Sequence, residues 1–168
     1  MTVAIMIFML LVGGLLQSLL PATAWLGLSK PPFLMAVALF YALTHARGMA
    51  LVAAILAGII QDSMSLFPVG YSSLCFTVFA LILSETRATL FRDSVLTVAV
   101  LGAVLAAVTT LGLYLMLLVN ALAEGIPAGW VALKMGGNAL LGLVAAPVVW
   151  WLASSLELHV GLTAGEDR

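Results

Sequence analysis

The side chains able to do chemistry are few here, and they sit inside or at the edges of long apolar runs. Asp62 is a carboxylate at the end of one such run, and Lys134 is an ammonium at the start of another. Gln17, Asn120 and Asn138 are the amides embedded in others. A polar group in apolar surroundings is costly unless it is partnered, so each marks either packing or function. An unpaired carboxylate is the costliest of these. The sequence therefore predicts a polar cluster of Gln17, Asp62, Asn120, Lys134 and Asn138, with Asp62 in reach of Lys134 or Asn138. The competing expectation is plainer: Asp62 ends its helix or caps the following turn in interfacial water.

Catalytic patterns do not assemble from these residues. There is no His-Glu-x-x-His pair, and His45 and His159 stand alone, so a metal site lacks ligands. His45, next to Arg47, reads as an interfacial residue. Asp62 is the only acid that falls well inside an apolar region, so no pair of membrane carboxylates is expected. Ser63 and Ser65 have no G-x-S-x-G context and no evident base. Gly136-Gly137, near Lys134 at an expected helix start, is a weak anion-site pattern with no second basic group beside it. The single Cys75 excludes a disulfide framework and a cysteine zinc cluster. The expectation is a protein with no enzymatic activity, no metal and no cofactor.

What positions these residues follows from composition. Of 168 residues, 64% are hydrophobic and 8% charged, against about 25% charged in an ordinary soluble domain. Net charge is −1, so there is no basic face for nucleic acid. The solvent such a chain suits is lipid. A bilayer core of roughly 30 Å takes about 20 helical residues per crossing. The charged and proline-bearing breaks divide the chain into apolar segments at about 4–20, 33–44, 48–61, 72–84, 94–122 and 135–156. The reading is one all-α membrane domain over 1–168, with six transmembrane helices in one bundle. The alternative for the first run, a signal peptide cleaved after Ala22-Thr23-Ala24, lacks a basic n-region.

Orientation is read from Lys and Arg. Both termini in the cytoplasm put Arg47, Arg87, Arg92 and Arg168 inside and Lys30 and Lys134 outside. Trp25 and Trp130 then fall at one interface and Trp150 and Trp151 near the other, as aromatic belts do. The third segment is short: residues 48–61, at about 1.5 Å each, span roughly 21 Å. Three stripes of small residues at spacing four follow helix faces. Ala50, Ala54 and Gly58 lead to Asp62; Gly102 and Ala106 lead to Thr110; Gly142 and Ala146 follow Asn138. Such stripes let helices approach closely, and internal bundle packing is their plainer use. The first, with the Pro68-Val69-Gly70 turn, is a candidate docking face for a partner helix.

Residues 57–74, AGIIQDSMSLFPVGYSSL, resemble the signature of the rod shape-determining protein MreD family: A-G-hydrophobic pair-x-D, a short Leu/Ser-rich stretch, P-x-G and a following Leu. The basic hairpin at His45-Ala46-Arg47 and the charged stretch 85–93 occupy the places where that family has a basic hairpin and a charged loop. The resemblance implies a non-enzymatic inner-membrane component of the bacterial elongation machinery. It would bind the transmembrane helix and juxtamembrane region of MreC, for which the small-residue stripe and turn, Ala50, Ala54, Gly58, Asp62, Pro68 and Gly70, are the candidate dock. It would belong to a rod complex with MreB, a SEDS-family glycosyltransferase and a class B penicillin-binding transpeptidase, supporting peptidoglycan synthesis. It further implies a fold similar to the substrate-binding component of energy-coupling-factor transporters. That likeness supplies the alternative function, a small-molecule (vitamin) binding subunit of a transporter.

Overall fold

Uncharged runs of this length satisfy their backbone polar groups most simply within themselves, as helices. The computed structural model describes residues 2–23, 26–65, 70–86, 94–120 and 127–159. Its elements are six helices: α1 Thr2–Leu19, α2 Phe33–Thr44, α3 Arg47–Ser63, α4 Tyr71–Thr86, α5 Val95–Val119 and α6 Ala128–His159. Three of them, α1, α5 and α6, are long and apolar enough to cross a membrane. α6 starts at Ala128 rather than near residue 135, so Gly136-Gly137 lies inside the helix and not at its start. The expected anion pattern loses its helix N-terminus.

Side-chain contacts fix the helix directions. Gln17 of α1 bonds to Gln61 of α3 and accepts from the N–H of Leu34 in α2. His45, just after α2, pairs with Glu157 near the end of α6. Arg47 pairs with Glu85, joining the start of α3 to the end of α4. Successive helices therefore run in alternate directions between two ends of one bundle. One end carries Gln17, Gln61, Asp62 and Lys134; the other carries His45, Arg47, Glu85 and Glu157. The start of α1 and the finish of α6 share the second end.

The short helix α2 is the centre. It contacts all five others, and each of residues 34–43 is buried. At 12 residues it rises only about 18 Å. The depth above it is filled by the preceding segment, where Thr23 bridges to Ser29 and the Ser29 hydroxyl contacts the backbone oxygen of Lys134. Gly27, at φ +64, makes that fold-over possible.

Large and small residues are sorted in the manner of a bundle in lipid. The buried face of α3 is Ala50, Ala53, Ala54, Ala57 and Gly58, while Val52, Ile55 and Ile59 point outward. Phe8, Leu11 and Leu15 of α1 are likewise exposed. Interfaces between helices gain from close backbone approach when the surroundings are as apolar as leucine.

Candidate functional site

Asp62 is a buried and fully engaged carboxylate within the bundle. It is 1% exposed. Its carboxylate accepts the N–H of Gly70 at 2.7 Å and that of Ser72 at 3.1 and 3.2 Å. These are N–H groups at the start of α4, where the first turn of any helix leaves donors without intrahelical partners. A carboxylate there also meets the positive end of the helix dipole. Asp62 thus caps α4 from the end of α3, across the turn. Gly70 adopts φ +114, a conformation that side-chain-bearing residues avoid, with open space around its Cα. Pro68 lies outside the described residues.

This corrects the expected pairing. The partners of Asp62 are backbone N–H groups, and the capping alternative describes it better, with the carboxylate buried instead of in interfacial water. Lys134 lies over the Trp130 ring, 5.1 Å from Nζ to the centroid. The Asn138 amide donates to the Thr110 hydroxyl at 2.8 Å. Gln17 donates to Gln61 at 2.7 Å. Asn120 is exposed and donates to the Met116 carbonyl of its own helix, apart from the rest. The five predicted residues do not form one cluster: Gln17, Lys134 and Asn138 line a shared cavity, and Asp62 and Asn120 do not.

The small-residue stripes turn inward. A Cβ on Gly58 would lie 2.1 Å from the Ser73 Cα, so α4 seals the stripe Ala50, Ala54, Gly58 within the chain. That stripe is therefore not an open docking face, because α4 already occupies it. The other two stripes meet each other. A Cβ on Gly102 would lie 2.4 Å from the Ala146 Cβ, and one on Gly142 would lie 2.5 Å from the Gly102 oxygen. The Asn138–Thr110 bond closes the same seam.

The cavity has a volume of about 910 Å³ and is lined by residues of all six helices and of the 28–32 segment. Ser72 and Thr109 on its wall are buried, and their hydroxyls have no hydrogen-bond partner. Neither was foreseen from sequence, since a single hydroxyl in an apolar helix carries no spacing signal.

The opposite end holds a second buried acid, which sequence reasoning missed. Glu157 is 4% exposed, so Asp62 is not the only acid within the bundle. His45 Nε2 lies 3.3 Å from its Oε1, and His45 Nδ1 lies 2.8 Å from the Thr44 hydroxyl. The Tyr41 ring stacks 4.7 Å from the imidazole. His45 is thus no isolated interfacial residue.

Among the described residues, no group of three or more His, Cys, Asp or Glu side chains is placed to hold a metal ion. No curated protein and no solved structure matches this chain. The family model of the rod shape-determining protein MreD matches residues 1–128, the span that contains the sealed stripe, the Asp62 cap and the first five helices. With most of its length under that match, the chain is a membrane protein that belongs to the MreD family.

Proposed function

We propose that this chain is a non-enzymatic, multi-pass scaffold of the rod complex in the bacterial inner membrane, and that MreC docks at the end of the bundle built around Asp62. The family supports a role in rod-shape determination. The observation that carries the finer reading is the Asp62 cap. It ties the end of α3 to the start of α4, and Met64, 43% exposed, stands at the surface of that end. A protein embedded in lipid reaches a periplasmic process through lateral contacts and short loops, and the end of α3 tied to the start of α4 is the shaped feature available for that. With the small-residue stripe sealed by α4, its part is indirect: it sets the positions of the α3 and α4 ends against which the transmembrane helix and juxtamembrane start of MreC pack.

The alternating directions support a reading of six spans. If α1, α5 and α6 cross, then α2, α3 and α4 link the same two ends, with Lys30 and Lys134 outside and Arg47 inside. Both termini are then cytoplasmic. MreB, the SEDS-family glycosyltransferase and the class B transpeptidase complete the assembly that makes peptidoglycan along the cylinder. A vitamin-binding transporter subunit, with its energy-coupling-factor fold, draws no support from the family match. The test is copurification of MreC with the tagged chain, in detergent and in nanodiscs. Wild type retains MreC, and Asp62→Ala releases it. Failure of the folded wild-type chain to retain MreC in both media contradicts the reading.

A further inference from the structure

The cavity at the Asp62 end is unusual for a packed membrane bundle, and its chemistry is one-sided. Two lysines, Lys30 and Lys134, line it, and no described carboxylate does. No described carboxylate lies within ion-pair distance of either lysine. Lys134 is steadied over the Trp130 ring and so points a defined positive charge into the space. Deeper on the wall, the Ser72 hydroxyl (1% exposed) and the Thr109 hydroxyl (7% exposed) have no hydrogen-bond partner. A buried hydroxyl without a partner costs stability, so a pair of them on one cavity wall calls for a ligand that bonds to them. The amides nearby are already spoken for by Thr110 and by each other, which holds the wall rigid.

Met35, Phe76, Leu113 and Leu117 form the apolar part of the lining, and Ser18, Ser65 and Tyr114 add further hydroxyls. Its rim, at Leu28, Lys30 and Trp130, is exposed. A volume of about 910 Å³ exceeds what a bare small anion fills. Positive charge, free hydroxyls and an apolar wall together describe a site for an amphiphile with an anionic phosphate head.

We propose that this cavity binds an anionic phospholipid, with the head-group phosphate at Lys134 and Lys30, polar head-group atoms at Ser72 and Thr109, and acyl carbons along Phe76 and Leu113. The site is built from residues of this chain, and because Met64 also lines it, lipid binding is tested on the chain without MreC.

The experiment uses the full chain, purified and delipidated, then offered phosphatidylglycerol, phosphatidylcholine, glycerol phosphate or inorganic phosphate. Native mass spectrometry reads retained lipid, and thermal unfolding reads stabilisation. One phosphatidylglycerol is retained in preference to phosphatidylcholine. Lys134→Gln lowers its retention about tenfold, as loss of a charge-assisted contact does. Thr109→Val, which keeps volume and removes the hydroxyl, lowers it also and guards against misfolding of the lysine variant. Arg47→Gln, at the other end of the bundle, leaves retention unchanged. Equal retention of both lipids, or retention indifferent to both cavity variants, overturns the site. Stabilisation by inorganic phosphate or glycerol phosphate equal to that by phosphatidylglycerol overturns the lipid assignment and makes the cavity a site for soluble phosphate.

Discussion

Removing the Asp62 carboxylate leaves the N–H groups of Gly70 and Ser72 without an acceptor in a buried place. A buried donor left unpaired costs about 1–3 kcal/mol. Asp62→Ala is therefore expected to lower the unfolding temperature of the purified chain clearly. Asp62→Asn is milder, because the amide oxygen still accepts. Equal behaviour of Ala and Asn in a thermal-unfolding series contradicts the capping role. The sequence made Asp62 conspicuous but not its partners, because the donors are backbone N–H groups that no side-chain spacing encodes. Lys134 was equally conspicuous, and it went to Trp130 instead of to the carboxylate. Glu157 was hidden for another reason. It follows the last apolar run in the sequence, while its partner His45 comes from a distant hairpin.

At the scale of elements, the apolar segmentation was readable because membrane-type helices leave charge and proline at their breaks. The start of α6 was not, because the charge of Lys134 interrupts the apolar pattern while the helix runs through it from Ala128. Adjacent glycines in that helix show how packing, not residue type, sets tolerance. A Cβ on Gly136 meets open space, whereas one on Gly137 would lie 2.4 Å from the Leu26 oxygen. Gly136→Ala is expected to be neutral, or stabilising by up to about 1 kcal/mol from helix propensity. Gly137→Ala is expected to destabilise by roughly 1–3 kcal/mol, the usual range for overpacking. Unfolding midpoints measured side by side check both signs, and a harmless Gly137→Ala contradicts the packing of the 26–29 segment on α6. The stripes were visible as stripes. Which of them face each other and which face α4 depends on helix order in three dimensions, which spacing along one helix does not carry.

At the scale of the whole molecule, an alternating six-helix bundle carries distinct polar features at its two ends. Exposed Lys30 belongs to the Asp62 end and Arg47 to the other, so the two sides of the membrane are distinguishable. In a Cys75→Ala background, a cysteine at position 30 is expected to react with an impermeant reagent added outside intact cells, and one at position 47 only after permeabilisation. The reverse pattern inverts the bundle. The most direct measurement of the central claim is site-specific photo-crosslinking in cells that also make MreC, with the photoreactive residue at Met64 beside the capped turn or at Glu85 at the opposite end. The account predicts an MreC adduct from position 64, lost when Asp62→Ala is added, and none from position 85. An adduct from position 85 with none from position 64 would contradict it.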